Sequence, residues 1–399
     1  IRLVVWPGFA PHKRQLNMAL WRQLLKRLGL GATLIVASAC SAAPAQSWPA
    51  WEGFKSAFVS EDGRVIDRSQ EDLRTVSEGQ SYALFFALVA QDQKTFDAIL
   101  EWTENNLSAG DMGKQLPAWI WGKQGDSWGV IDANSASDAD LWIAYALLEA
   151  SRVWCHTPYA DKARALGELI LNKESMEVSG LGLSLLPGHT GFVLDNGAVK
   201  LNPSYVPPFM MARFANAWAD DTRWSQIYLA SQQLLLETGK TGSYPDWVLY
   251  NNGAMSLPED EQRGDYDAIR TYLWIAMTSK NDPTVAALLK QLSPMAALLL
   301  KRQNMPEWFE PMNGKFSGER GPAGFQAAMA PFLQTIGMPE LAKKFHAQSL
   351  KTSNQEAWLK YGYYNGALSL FGQGYMDGLY RFNTLGEFMP RGKEVKSCG

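Results

Sequence analysis

Three carboxylates stand at the starts of strongly apolar segments. Glu78 begins one such segment, Asp138 a second and Asp267 a third. An acidic residue in the first turn of a helix is ordinary, because it complements the positive end of the helix dipole. The segments that follow these three acids are too apolar for surface helices, however. The pattern therefore predicts buried helices whose N-terminal ends converge on one acidic site.

A group of carboxyls of this kind suits acid–base hydrolysis. One carboxylic acid protonates a leaving oxygen while a second carboxylate activates water, and glycosidic bonds are cleaved in this way without a metal ion. No spacing of Cys and His resembles a zinc site, and the chain has only four His. We therefore expect neither a metal nor another cofactor.

Aromatic side chains near the long connections suit a sugar polymer. Trp119, Trp121, Trp128 and Tyr205 lie among polar residues, and their rings can stack on pyranose faces. Most of the 14 Trp that follow residue 45 are expected to pack in the core instead. The loop aromatic residues are the better candidates for a sugar-binding platform.

The first 45 residues have the layout of a secretory leader. From Met18 onward, a basic part is followed by the apolar residues 28–39 and by the small-residue cleavage site at 43–45. The apolar stretch is short for a membrane span. Cys40 leaves lipoprotein processing as an alternative. The sequence predicts a leader over residues 1–45 and one catalytic domain over residues 46–399.

The net charge limits the possible binding partners, and the cysteine content bears on the cellular compartment. Residues 1–45 hold six of the 37 basic residues and none of the 40 acidic ones, so the remainder has a formal net charge of −9. This charge disfavours nucleic acid and anionic membranes as partners. Only Cys155 and Cys398 remain after the leader. They are able to pair in an oxidising compartment, but the sequence leaves the pairing open.

Two styles of helix alternate along the chain. One-sided amphipathic helices separate six segments that are apolar on nearly every side, near residues 78–90, 138–153, 204–218, 265–279, 322–335 and 356–371. Residues 48–58 supply a further outer helix. An inner layer wrapped by an outer layer predicts an all-α (α/α)6 barrel, with an irregular bundle or a helical solenoid as alternatives. If directions alternate, all inner helices begin at one mouth of the barrel.

Two of the helix starts carry capping signals. Ser77 and Gln80 have the spacing of a capping box, and Ser135 stands three residues before Asp138. These signals predict that both serine hydroxyls cap the helices that follow them. Each acid considered alone therefore has an ordinary explanation as a helix-start residue.

Several motifs together resemble one enzyme family. Residues 136–154 read Ala-Ser-Asp-Ala-Asp-x-x-Ile-Ala-x-Ala-Leu-Leu-x-Ala-x-x-x-Trp, which resembles the signature of the family 8 glycoside hydrolases. Residues 77–82, 202–205 and 266–270 also match motifs of that family. The similarity extends from about residue 48 to about residue 386. It implies an (α/α)6 barrel and hydrolysis with inversion.

The resemblance also implies roles for individual residues. Glu78 matches the general acid, Asp267 the general base, and Asp138 the acid that binds the sugar at the cleavage point. Asp265 lies two residues from Asp267, and only the family pattern selects between them. The implied substrate-binding residues are Tyr205, Tyr266, Arg270, Trp121 and Tyr364. The spacing leaves Trp119 as a rival or companion of Trp121, and Tyr363 as a rival of Tyr364.

The implied activity is that of an endo-β-1,4-glucanase acting on cellulose-type glucan. The runs at 48–51 and 116–119 are similar to those of endoglucanases that accompany bacterial cellulose synthesis. The resemblance thus implies a periplasmic or secreted enzyme, with the cellulose synthase complex as an expected partner. Xylan, chitosan or mixed-linkage glucan remain alternative substrates. A non-catalytic glucan-binding subunit is the alternative of another class, and the intact acids argue against it.

Overall fold

Buried and half-exposed helices alternate along the chain. The computed structural model describes residues 47–351, 355–392, 395 and 398. Its helices are α1 Pro49–Phe58, α2 Ser77–Ala90, α3 Gln93–Leu107, α4 Ser137–Trp154, α5 Thr157–Lys173, α6 Pro208–Ala217, α7 Thr222–Thr238, α8 Ala268–Met277, α9 Val285–Gln291, α10 Ser293–Arg302, α11 Ala323–Thr335, α12 Pro339–Leu350 and α13 Gln355–Met376. The inner layer consists of α2, α4, α6, α8, α11 and α13, and the others wrap around it. The predicted (α/α)6 barrel is confirmed.

The residue pattern explains which helices are inside. Every residue of α2 after Glu78 is buried, so this helix has no solvated face. In α3, by contrast, Phe96, Ile99 and Leu100 face inward at helical spacing while charged residues cover the other side. The outer helices α9 and α10 are separate and meet next to Pro294, because proline starts a helix more readily than it continues one.

Short antiparallel strands occupy the connections between helices. They are β1 Thr75–Val76, β2 Ile120–Gln124, β3 Ser127–Asp132, β4 Ser175–Val178, β5 Gly182–Leu185, β6 Val199–Leu201, β7 Val248–Asn251, β8 Ala254–Ser256, β9 Tyr380–Phe382 and β10 Phe388–Pro390. The sequence did not predict them. The sheet β1-β2-β3 pairs Thr75 with Trp121, which places the β2–β3 hairpin beside the start of α2.

Aromatic rings fill the interior of the barrel. Trp142 of α4 lies 5.3 Å from Trp274 of α8 and 5.1 Å from Phe371 of α13, measured between ring centroids. Below them, the β9–β10 hairpin closes the barrel. Phe382 stacks on Phe209 at 3.9 Å, and the Tyr145 hydroxyl donates to the Gly386 carbonyl at 2.7 Å. Near the end of α4, Glu149 accepts from the Phe388 amide and Arg152 donates to the Phe388 carbonyl, so the hairpin lies at the end of the barrel away from the helix starts.

A disulfide ties the C-terminal end of the chain to the inner layer. Cys155 ends α4 in the left-handed conformation and is bonded to Cys398, with 5.3 Å between the two Cα atoms. The pairing that the sequence left open is thus present. The predicted leader, residues 1–45, lies outside the described residues. Within the described ranges, none of the helices is both long and apolar enough to cross a membrane.

Both capping predictions are wrong. Helix α2 has Val76 as its N-cap, and the Gln80 side chain instead accepts from the Val65 amide and donates to Thr103. Helix α4 begins at Ser137, and the Ser135 hydroxyl donates to Glu174, a residue 39 positions away. Long-range partners have replaced the local ones at both helix starts, where the chain is buried.

Candidate active site

One guanidinium gathers the three predicted acids. Nη1 of Arg270, a side chain that is only 1% exposed, lies 2.5 Å from Oε2 of Glu78 and 2.9 Å from Oδ2 of Asp138. Nη2 of Arg270 contacts Oδ1 of Asp267. The acids come from the starts of α2, α4 and α8, so the N-terminal ends of these inner helices converge as predicted. Three carboxylates around one cation leave this site with a negative surplus.

The three carboxyls differ in exposure and in acidity. The Asp267 side chain is 25% exposed, that of Glu78 16% and that of Asp138 5%. Burial raises the pKa of Glu78 against the lowering effect of Arg270, and the negative charge of Asp267 raises it further. Burial likewise raises the pKa of Asp138 to about 7 and raises that of Asp267. A carboxyl with a raised pKa suits a proton donor, and the most exposed one is best placed to meet water.

Further polar and aromatic groups surround Arg270. Nη1 also donates to the Tyr82 hydroxyl at 3.0 Å, and Nη2 to the Ser204 hydroxyl at 3.1 Å. The guanidinium carbon lies 5.4 Å from the ring centroid of Tyr205 and 5.8 Å from that of Tyr364. These contacts fix the guanidinium in one orientation, and with it the geometry of the carboxyls.

The two neighbouring tyrosines of α13 have different partners. The Tyr363 hydroxyl donates to Oε1 of Glu78 at 3.0 Å, whereas the Tyr364 hydroxyl donates to the carbonyl of Tyr266. The Tyr266 ring is 45% exposed and packs edge-on against Phe325. Tyr363 and Tyr364, which the sequence left as alternatives, therefore both belong to the site. Tyr363 contacts Glu78, and Tyr364 contacts Arg270 and Tyr266.

Asp265 and Asp267 face different groups. Asp267 is the N-cap residue of α8 and points toward Arg270. Asp265 accepts from the Tyr266 amide, and its own backbone amide donates to Asp246, a loop residue between α7 and β7. Asn202 lowers the pKa of Asp267, in opposition to the effect of burial. The geometry thus places Asp267, and not Asp265, among the converging carboxyls.

The β2–β3 hairpin forms an aromatic rim near the helix starts. Trp121 stacks on Trp128 with 5.4 Å between ring centroids, and the guanidinium of Arg64 lies 4.5 Å from the Trp121 ring. Trp119 is 43% exposed, and its carbonyl accepts from the Ser77 amide at the start of α2. Trp121 is held rigidly by its neighbours, while Trp119 and Trp128 present open ring surface to solvent.

A pair of buried carboxyls stands behind Asp138. Asp140 and Glu174 are both fully buried, and the charge of Glu174 acts on Asp140. Glu174 also accepts from Ser135, whose hydroxyl accepts from the His189 amide at 3.0 Å. Burial raises the pKa of Glu174 to about 8 and that of Asp140 well above its usual range. Burial and repulsion favour the neutral form of at least one of the two carboxyls, and the bond from Ser135 to Glu174 anchors the turn before Asp138.

Other chemistries lack a site in the described residues. No His, Cys, Asp and Glu side chains within those ranges form a group of three that would hold a metal ion, and the cation at the centre of the mouth is a guanidinium. Residues 125–129 read Gly-Asp-Ser-Trp-Gly and match the sequence motif of a serine nucleophile elbow. They form the tip of the β2–β3 hairpin, however. A nucleophile elbow requires a strand-to-helix turn instead.

Sequence reasoning missed several residues of the site. Tyr82, Asn202 and Ser204 lie inside the motifs at 77–82 and 202–205, so the signal for them was present but unassigned. Asp246 stands in a loop without periodicity, and nothing in the sequence distinguished it from other loop acids. Trp48 and Trp51, which belong to a run that resembles the cellulose-associated subgroup, are buried in the core.

The family is decided by a match over most of the chain. The family model described as Glycosyl hydrolases family 8 matches residues 28–378. This chain belongs to glycosyl hydrolase family 8. It is therefore a glycoside hydrolase, and the three converging carboxyls lie where the motifs of the family matched the sequence.

Relatives of similar length support the same assignment. The chain is 43% identical over 367 residues to an endoglucanase of Escherichia coli O157:H7, covering 91% of this chain and 96% of the relative. The crystal structure of an endo-1,4-D-glucanase from Vibrio fischeri ES114 has 43% identity and a TM-score of 0.81, covering 86% of this chain and 99% of the other. An endoglucanase of family 8 from Klebsiella pneumoniae has 26% identity and a TM-score of 0.67, covering 83% and 99%.

Proposed function

We propose that this glycoside hydrolase is an endo-β-1,4-glucanase that cleaves cellulose-type glucan with inversion at the anomeric carbon. The observation that carries the proposal is the convergence of Glu78, Asp138 and Asp267 on Arg270, beneath an aromatic rim. The endoglucanase names of the 43%-identical relatives support the choice of polymer.

Glu78 acts as the general acid. Its raised pKa keeps a proton available above the range of an ordinary glutamate, and the Tyr363 hydroxyl fixes the orientation of its carboxyl. The proton of Glu78 passes to the glycosidic oxygen as the bond between that oxygen and the anomeric carbon breaks. The leaving chain departs with a free hydroxyl, and Glu78 becomes a carboxylate.

Asp267 acts as the general base. It is the most exposed of the three carboxyls and lies on a different inner helix from Glu78, which leaves the opposite face of the sugar open to water. Asp267 takes one proton from that water while the water oxygen bonds to the anomeric carbon. Asp138 holds the sugar at the cleavage point. The negative surplus of the site stabilises the positive charge that develops on the ring.

Aromatic and polar residues bind the glucan on both sides of the cleavage point. Tyr205 and Tyr364 flank Arg270, and Tyr266 presents an exposed ring beside Asp267. Trp121 and its exposed neighbours Trp119 and Trp128 offer faces for stacking sugars further along the polymer. Exposed aromatic faces on both sides of the carboxyls suit attack within a chain rather than at its end.

The proposed enzyme works outside the cytoplasm, in the periplasm or as a secreted protein. The layout of residues 1–45 supports export, and the Cys155–Cys398 disulfide supports an oxidising compartment. A role in bacterial cellulose synthesis, in contact with the synthase complex, follows from the sequence runs shared with that subgroup. Fractionation of cells that express the whole chain tests the location: recovery of activity in the cytoplasmic fraction alone would contradict export.

A substrate panel with detection of the anomer formed tests the activity. Reducing ends should be released from carboxymethylcellulose much faster than from xylan or chitosan. Proton NMR during the first minutes of hydrolysis should show the α-anomer, because an inverting enzyme holds its carboxyls about 6.5–9.5 Å apart to admit water. A first-formed β-anomer would refute inversion, and the absence of any hydrolysis would favour a glucan-binding subunit.

A further inference from the structure

Asp246 holds the peptide segment that carries the proposed base. Its Oδ1 accepts from the backbone amide of Asp265 at 2.9 Å and from that of Ala268 at 2.6 Å. These two amides flank Asp267 in the chain. The Asp246 amide in turn donates to the Arg263 carbonyl at 2.9 Å. The loop before β7 and the turn over residues 265–268 are thus joined through one side chain.

The Asp246 carboxyl has an acidic neighbour rather than a cation. The Asp265 carboxyl lies beside it, and two neighbouring carboxylates repel each other, which favours the neutral form of one of them. Titratable groups face Asp246 from three elements: Asp265 and Asp267 from the turn, Tyr272 from α8 and Tyr364 from α13. Burial, together with the charges of Asp267 and Asp265, raises the pKa of Asp246 to about 9.

We propose that Asp246 is a positioning residue for the base: its carboxyl oxygen clamps the 265–268 turn through two backbone amides, which keeps Asp267 directed at Arg270. This inference rests on the proposed role of Asp267. It gives Asp265 a function as the partner of Asp246. It also explains why two aspartates two positions apart in one turn are not equivalent.

Two substitutions at position 246 test the clamp. Asp246→Asn retains an oxygen for the two amides and an N–H donor for Asp265, so it should keep most of the wild-type kcat on carboxymethylcellulose. Asp246→Ala removes the clamp and should lower kcat by about 10²-fold, the loss typical of a catalytic group misplaced by about 1 Å, with a smaller change in KM. Full kcat in Asp246→Ala would overturn the proposal.

The pH profile of Asp246→Asn tests the protonation state without relying on the alanine variant to fold. The acid limb of kcat/KM reports the base, which Arg270 and Glu261 also face. If Asp246 is neutral in the wild type, the acid limb stays in place. If Asp246 is ionised, the neutral amide removes a negative charge near Asp267 and moves the limb to lower pH. That shift would contradict the neutral form of Asp246.

Matched variants separate this proposal from the proposed function and from a general loss of stability. Asp282→Ala removes a comparable buried aspartate that accepts from the Thr284 amide at 2.9 Å, away from the mouth, and it should leave the kcat of the folded enzyme unchanged. Asp267→Asn is assayed in parallel. Wild-type activity in Asp267→Asn would remove the base assignment itself, whatever the variants at position 246 do.

Discussion

The two ends of helix α4 hold buried charge in opposite proportions. Near its start, Asp138 shares the single guanidinium of Arg270 with two other carboxylates. Near its other end, the fully buried Glu149 accepts from both Arg152 and Arg213, and from the Phe388 amide at 2.9 Å. One end has a surplus of anions and the other a surplus of cations and donors.

This difference indicates that the charged groups at the start of α4 serve chemistry and those near its end serve stability. At the mouth, burial and mutual repulsion raise the pKa of the carboxyls, so their charged forms are held at a cost to folding. At the closed end, two guanidinium groups and the Phe388 amide donate to the Glu149 carboxylate, and Glu149 and Arg152 together fasten the β9–β10 hairpin to α4. We therefore expect neutral substitutions to damage activity at one end and stability at the other.

Glu78→Gln should have the largest effect on activity. The amide keeps the shape of the side chain but cannot supply the proton, and general acid catalysis is worth about 10²–10⁴-fold. Because the folded protein favours the neutral form of Glu78, the unfolding temperature at neutral pH should not fall. Reducing-end release and thermal unfolding measure the two expectations. Retention of a tenth or more of the activity would remove Glu78 from the role.

Asp267→Asn should be nearly as damaging, and Asp265→Asn should be milder. Asp267 points at Arg270, whereas Asp265 is engaged with Asp246. An asparagine at position 265 keeps the backbone amide that donates to Asp246. The ratio of the two kcat values decides between the acids, since Asp265 as the base predicts the reverse order.

Glu149→Gln should lower stability and spare catalysis. It leaves two largely buried guanidinium groups without their carboxylate, a change on the order of 3 kcal/mol in the free energy of unfolding. Urea unfolding measures that loss, and kcat of the folded variant should match the wild type. If Glu149→Gln loses activity while remaining folded, the two ends are coupled and the division between them fails.

Tyr363→Phe should have the smallest effect, a shift in the pH profile. The Tyr363 hydroxyl stabilises the charged form of Glu78, so its removal raises the pKa of Glu78 further. Activity falls as pH rises through that pKa, and the alkaline limb of kcat/KM should therefore move to higher pH, by roughly one unit or less. Tyr364→Phe, whose hydroxyl binds a backbone carbonyl instead, is the control and should leave the limb in place.

The sequence predicted the structure correctly wherever local hydrophobic periodicity determines it. The all-apolar segments behind Glu78 and Asp138 predicted inner helices, and alternation with one-sided helices predicted that their starts would meet. Long-range partners were beyond such reasoning. The Ser135 hydroxyl binds Glu174 and not its own helix, and Cys155 reaches Cys398 across 243 positions. Asp246 acquires its place only when a loop folds against the start of α8.

The contacts of Arg270 are a second example of long-range partners that the sequence does not predict. The family resemblance marked it as a substrate-binding residue, but its three ion pairs depend on helices that are up to 192 positions apart in sequence. A pattern read along the chain identifies candidates of this kind. The sequence pattern does not reveal that the three carboxyls surround Arg270.

The aromatic core and the β9–β10 hairpin limit the path that a polymer chain can take through the molecule. Trp142, Trp274 and Phe371 occupy the axis of the barrel, and Phe382 and Phe388 seal its far end. A glucan strand therefore cannot thread through the molecule. Both fragments must leave by the face at which the strand arrived, so each cut is followed by release or sideways sliding along the cleft.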